Sequence, residues 1–397
     1  MHALALATLA IFARSTGATP PDLHFNDDGN FQIAIFSDMH FGEARSGNGP
    51  RKDNQTLQVM GNVLDADRPD LVVLNGDLIT GDGMEPDNST DYFDILVKPI
   101  TERSLTWATT YGNHDHQYGL SAEKIYEREK TYDGSRTQKM VCEKNSGVSN
   151  YYLPVYPPDC TDCAPELLLW FFDSRGGFYY QKRDAFVKNI HQPNWIDKCV
   201  VNWFTKTNKE LVKEHGKVIP SLAFVHIPIN ATEVLQGVVG VDPNYQPGID
   251  EERPVAMQSR DWCKEGYYDF DNCGYGEKDV DFMQALSDTE GIIGLFYGHD
   301  HGNTWCYRWE GLLPGMTIPG NGINLCFGQH TGYGGYGDWI RGGRQIVVNR
   351  DKVKDLVVDT YIRTEEGDSI GAVTLNSTYN EDYYPESPNN KTYLRRR

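Results

Sequence analysis

The sequence predicts an α/β fold organised around a parallel sheet, and three observations predict it. Short continuous apolar runs alternate with segments of helical periodicity through the first third of the chain. No linker separates two cores in the 397 residues, so one domain over 25–378 is expected. Finally, one apolar run after another stops abruptly at Asp, Asn or His, and open α/β sheets place their functional side chains just beyond strand carboxyl ends.

Ile33-Ala34-Ile35-Phe36 is the first strand, ending at Ser37-Asp38. Leu57, Met60 and Leu64 recur at helical spacing, which predicts an amphipathic helix over 54–66. Leu71 to Leu74 is apolar at every position, the pattern of a strand covered on both faces. Tyr92, Ile95 and Leu96 predict a second helix, and Trp107 to Tyr111 a third strand. The resulting β-α-β-α-β order implies right-handed crossovers between parallel strands. Further strands are expected at Leu167 to Phe172, Leu222 to Val225 and Ile292 to Tyr297, with a helical region from Asp184 to His215. From Trp305 to Thr378 the runs are short, β-like and glycine-rich. The polar stretch 379–397, ending in three arginines, reads as a loose tail.

Composition narrows the function. With 56 acidic and 37 basic residues the net charge is -19, which argues against nucleic acid or an anionic membrane as the main partner. An anionic substrate must then be drawn by a local positive centre, because the overall field repels it. Residues 1–18, with the apolar run Ala3 to Ala13 and small residues at Thr16-Gly17-Ala18, read as a signal peptide too short to span a bilayer. A secreted or secretory-pathway protein with no stable membrane anchor is therefore expected. Sequons at Asn54, Asn88, Asn230, Asn376 and Asn390 agree with a glycoprotein. Eight cysteines point to disulfides whose pairing the sequence leaves open. Cys160-x-x-Cys163 has no second CxxC to complete a zinc site, so a structural disulfide is the better reading.

The strand ends carry the chemistry. They supply Asp38-Met39-His40, Gly76-Asp77, Gly112-Asn113-His114-Asp115, Val225-His226 and Gly298-His299-Asp300-His301. Converging on one crevice, Asp38, His40, Asp77, Asn113, His226, His299 and His301 offer two carboxylates, an amide and four imidazoles. That set suits two divalent metal ions, with mixed N/O ligands open to Zn, Mn or Fe. Two ions about 3.5–4 Å apart need a carboxylate between them, and Asp77 is the candidate. A water acidified there attacks in line, His114 protonates or hydrogen-bonds the leaving oxygen, and Asp115 orients the His114 ring.

These five motifs, in this order, resemble those of the calcineurin-like metallophosphoesterases. The resemblance implies a four-layer α/β/β/α sandwich with a dinuclear metal site at the strand ends. It also implies that Asp38, His40, Asp77 and His301 hold one metal, that Asp77, Asn113, His226 and His299 hold the other, and that His114 is the catalytic histidine. Phe224 to Pro228, Gly298 to Asn303 and Gly328 to Arg344 are similar to the fungal and plant branch near the purple acid phosphatases. Purple members carry a Tyr three residues after the G-D aspartate. Here that residue is Thr80, and His40 is present instead, so no charge-transfer colour and no strict demand for ferric ion are implied. Some plant relatives lacking the Tyr are labelled inactive.

Each residue also has a plainer reading. His226 alone would be a buried core histidine. His116 reads as a surface residue, and His191, His215 and His330 as non-catalytic. Gly332 to Gly337 matches G-x-G-x-x-G but leads into no helix, so it reads as a flexible loop near the metals rather than a dinucleotide site. Its tyrosines and Arg341 are candidates for shaping the pocket. Gly367-Asp368-Ser369-Ile370-Gly371 matches a nucleophile elbow, but no His follows it, so a hairpin turn is expected.

The expected activity is metal-dependent hydrolysis of a small phosphoester or phosphoprotein, monoesters first. A phosphodiesterase is the enzymatic alternative. A catalytically silent, metal-binding glycoprotein of the same fold is the alternative from another class.

Overall fold

The structure, a computed structural model, describes residues 21–43, 48–80, 89–160, 162–253 and 257–394. The expected signal peptide over 1–18 and the Asn88 sequon lie outside the described residues.

Two sheets form the centre. In the first, the strands run in the order Ser369–Leu375, Val358–Thr364, Gly342–Asn349, Asn30–Phe36, Leu71–Asn75 and Trp107–Thr110. The last three are mutually parallel. In the second, Leu167–Phe172, Ser221–Val225, Ile292–Tyr297 and Pro319–Phe327 are parallel neighbours. Cys306–Leu312 pairs antiparallel at one edge and Tyr151–Tyr156 on the other side.

The continuous apolar runs are explained by burial on both faces. Ile33 and Ile35 face the second sheet, together with Leu71, Val73, Leu169, Phe171 and Phe224, in one core between the sheets. Their neighbours Ala34, Phe36, Val72 and Leu74 face outward. There they meet Val59, Met60 and Val63 of the Gly49–Ala66 helix. On the far side, Leu168, Trp170 and Phe172 meet Val200 and Phe204 of the Lys198–His215 helix and Phe282 of the Val280–Ser287 helix. Period-two alternation thus produces four layers, α/β/β/α, as expected.

Two segments differ from expectation. Only the second part of 184–215 is helical. The Phe178–Arg183 and Asn189–His191 strands instead form an antiparallel two-stranded arm. The buried apolar residues that give that region its helical periodicity, Val200, Val201, Phe204 and Leu211, lie within the helix. The stretch from Tyr379, expected to be loose, is held down through Leu394. Tyr379 is buried and its hydroxyl donates to the Cys306 carbonyl, while Thr392 donates to Glu365. The 367–371 segment is a hairpin turn, as expected.

Disulfides join Cys160 to Cys163, Cys263 to Cys273 and Cys306 to Cys326, whereas Cys142 and Cys199 are unpaired. Such bonds persist in oxidising compartments, in keeping with a secretory-pathway protein. Among the described residues no helix is long and apolar enough to cross a membrane.

Candidate metal centre

Parallel strands of both sheets end at the same edge, and their carboxyl ends bring the candidate residues together. Asp38, His40 and His301 form one group, and Asp77, His226 and His299 another. His40, Asp77 and His114 form a third that links them, each group having its ligand-type atoms within 4.8 Å of one another. Nε2 of His40 lies 3.2 Å from Nε2 of His301, which in turn is 3.5 Å from an Asp38 oxygen. Nε2 of His226 is 3.2 Å from Asp77 Oδ2 and 3.9 Å from Asp38 Oδ1. Asp77 touches both ends of the constellation, since the same oxygen is 3.8 Å from His40 Nε2.

The backbone is bent to make this possible. Asp38, His40, Asp77 and His299 all have positive φ, between 49° and 76°. Non-glycine residues adopt that region at a cost, and such strain gathers at functional sites. Gly112 shows why its motif begins with glycine: a Cβ there would lie 2.2 Å from Asp77 Oδ1.

Hydrogen bonds aim the side chains. The His226 Nδ1–H donates to the Asn75 carbonyl at 2.9 Å, which turns Nε2 toward the two aspartates. His301 Nδ1–H donates to the Tyr336 carbonyl at 3.0 Å, and His40 Nδ1 is hydrogen-bonded to Thr80 Oγ1 at 2.8 Å. Supports of this kind fix the tautomer of ligating histidines. The carboxylates are held too: Asp77 Oδ1 accepts from the His114 backbone N–H at 2.7 Å, and Asp38 accepts from that of His299.

Electrostatics matches the geometry. Burial works against ionisation of Asp38, but the imidazoles of His301 and His226 outweigh it and bring that carboxyl down to about 2. Asp77 is likewise held well below the carboxylate range, against burial, chiefly by His226 and His114. The field of these carboxylates overcomes burial at His226 and lifts it to about 10. Burial pushes His40 and His299 down to about 3, leaving neutral imidazoles able to donate lone pairs. Asn113 Oδ1, His114 Nδ1 and His299 Nδ1 are buried without a hydrogen-bond partner. Buried polar atoms are ordinarily paired. Oxygen and imidazole donors gathered at one pit, two carboxylates among them, fit a dinuclear divalent-metal site.

Several neighbours play parts the sequence did not reveal. The Asp115 carboxylate accepts from the backbone N–H groups of Gly112, Leu78 and Ile79. It therefore braces two loops of the site, and the expected bond to the His114 ring is not formed. His116 is buried rather than exposed, with Nε2 3.3 Å from Asp173. His330, read from the sequence as non-catalytic, has its ring tilted 35° against that of His301 with centroids 3.8 Å apart. The 332–337 loop does lie at the site. Arg341, however, is buried and donates to the Gly337 and Trp339 carbonyls, so it holds the loop rather than facing a pocket. A cavity of about 840 Å³ between Pro220, Ile292 and Asn321 is lined by none of the candidate ligands.

A sequence profile of the calcineurin-like phosphoesterases matches residues 31–303. Over 371 residues the chain is 25% identical to "Probable inactive purple acid phosphatase 14" of Arabidopsis thaliana, covering 88% of this chain and 82% of that one. It is 27% identical to "Phosphatase DCR2" of Saccharomyces cerevisiae, covering 77% of this chain but 49% of that longer protein. Among solved structures it is similar in fold to a dimetal phosphatase from Danio rerio, with a TM-score of 0.51, 11% identity, and coverage of 87% of this chain and 99% of the other.

Proposed function

The chain belongs to the calcineurin-like phosphoesterase family, and from that membership we propose that it is an active phosphomonoesterase. The observation that carries this reading is the gathering of Asp38, His40, His226, His299 and His301 around Asp77, with His114 beside them. Monoesters are favoured because two relatives are named as phosphatases, one of them as a probably inactive one. Two divalent cations, when bound, supply the positive charge that binds phosphoryl oxygens and acidifies the attacking water.

The chain's own residues do the rest. Asp38, His40, Asp77 and His301 would hold one cation, and Asp77, Asn113, His226 and His299 the other. His114 is fixed through its backbone bond to Asp77 and has an unpartnered Nδ1. In this reading its ring gives a proton to the ester oxygen as the bond from phosphorus to that oxygen breaks and the bond to water oxygen forms. Asp115 keeps the turn in place. No covalent enzyme intermediate is needed.

The Arabidopsis relative is labelled inactive, and this chain has Thr80 where the family resemblance leads one to expect a Tyr ligand. His40 answers that objection, because it sits within the first group with its Nε2 directed at His301 and Asp77. Secretion as a glycoprotein, with the 1–18 segment removed, belongs to the same proposal.

The test is hydrolysis of p-nitrophenyl phosphate and bis-p-nitrophenyl phosphate by the metal-stripped chain reloaded with Zn, Mn or Fe. Turnover of the monoester that needs metal, disappears in Asp77→Ala and falls about 10²–10⁴-fold in His114→Ala is expected. Turnover of the diester alone would make it a phosphodiesterase. Two tightly bound ions with turnover of neither ester would make it a silent glycoprotein.

A further inference from the structure

We infer that Tyr336 is a specificity-determining residue, a flat shelf for phosphoesters whose leaving group is an aromatic ring. This rests on the phosphoesterase reading and names the half of the substrate that reading leaves open.

One face of the Tyr336 ring covers His301, with centroids 4.0 Å apart and planes 11° from parallel. The residue is nevertheless 50% exposed, so the ring is not consumed by packing. Both ends are fixed. Its carbonyl accepts from His301 Nδ1–H, and its hydroxyl donates to Glu252, which also accepts from the Gly302 N–H at 2.7 Å. A ring held at both ends loses little freedom when a ligand settles on it.

The loop brings this ring directly to the ligands. A Cβ at Gly335 would lie 2.6 Å from His301 Cε1 and 3.1 Å from His40 Nε2, so nothing separates the loop from those two imidazoles. Trp339 continues the aromatic wall: its indole N–H donates to Glu251, and its ring lies against Gly302 and Gly337. A phosphoryl group held among these ligands has an ordered aromatic surface beside it. An aryl or heteroaromatic leaving group gains from offset stacking there, and an aliphatic one does not.

The test compares phenylphosphonate with methylphosphonate, bound by the metal-loaded full chain in isothermal titration. Neither has an ester bond to cleave. The wild type should prefer the phenyl compound by roughly three- to tenfold. Tyr336→Phe should keep that ratio and Tyr336→Leu should bring it close to one. Equal affinities in the wild type, or an unchanged ratio in Tyr336→Leu, would overturn the inference. So would loss of a metal equivalent in Tyr336→Leu by elemental analysis, since the ring would then serve only to hold His301. Because binding is read without turnover, a protein that shows the ratio but hydrolyses nothing keeps the shelf and loses the hydrolase reading.

Discussion

The Thr80 hydroxyl lies 2.8 Å from Nδ1 of His40, and Thr80 stands where purple relatives carry their tyrosine. The position that would supply a phenolate thus supports an imidazole instead. Removing such a support costs roughly 10–100-fold in metal affinity. Thr80→Val should show that loss for one of the two metals, measured by competition with a chromophoric chelator. Equal affinity for both metals in variant and wild type would mean that His40 needs no support from Thr80.

Gly335 gives a steric prediction. Its φ is +68°, and a Cβ would collide with His301 and His40. Gly335→Ala should reduce the metal content toward one equivalent per chain, while Gly237→Ala, where a Cβ meets nothing within 4 Å, should not. Full metal content in Gly335→Ala would show that the loop can retreat from the ligands.

Glu129 gives a stability prediction. Its buried carboxylate accepts from the Trp107 indole and from the hydroxyls of Thr109, Tyr111, Ser135 and Thr137. Glu129→Leu leaves these donors unpaired, and each buried unpaired group costs about 1–3 kcal/mol. A loss of at least about 3 kcal/mol is expected in urea unfolding. A loss below about 1 kcal/mol would mean the donors find other partners.

Asp279 gives a pH dependence. Burial raises its carboxyl to about 6, although the Tyr275 hydroxyl and the Asn230 N–H both donate to it. A raised carboxyl favours the folded state while protonated. That contribution is complete below the ordinary value of 3.8 and is lost as pH rises through about 6. Relative to Asp279→Asn, the wild type should lose about 2 kcal/mol between about pH 4 and about pH 7. A constant difference across that range would contradict the assignment.

The parallel strands were legible because residues buried on both faces leave an uninterrupted apolar run, as Leu71 to Leu74 does. The ligands were legible for a related reason: each run breaks at a residue too polar for the core. The supports were not. Thr80 and the loop tyrosines could be singled out by position, but their contacts to His40 and His301, and the part played by Glu252, arise only when separate loops meet. Asp115 sits in a recognisable motif, yet its carboxylate turns to Leu78 and Ile79, a direction that spacing does not encode. His116 is buried and meets Asp173, which follows a strand of the other sheet, a contact that spacing along the chain does not encode. The part of the arm from 184 to 191 was misread because the periodicity of the following helix was carried back across it.

Asp38, His40 and Asp77 follow strands of one sheet, while His226, His299 and His301 follow strands of the other. Whatever cation these side chains share is therefore bonded across the seam between the sheets. It acts as a rivet through both layers, resisting their sliding and parting at the functional edge. Chelation should loosen this edge first, while the opposite ends of the same strands stay clasped by the apolar core.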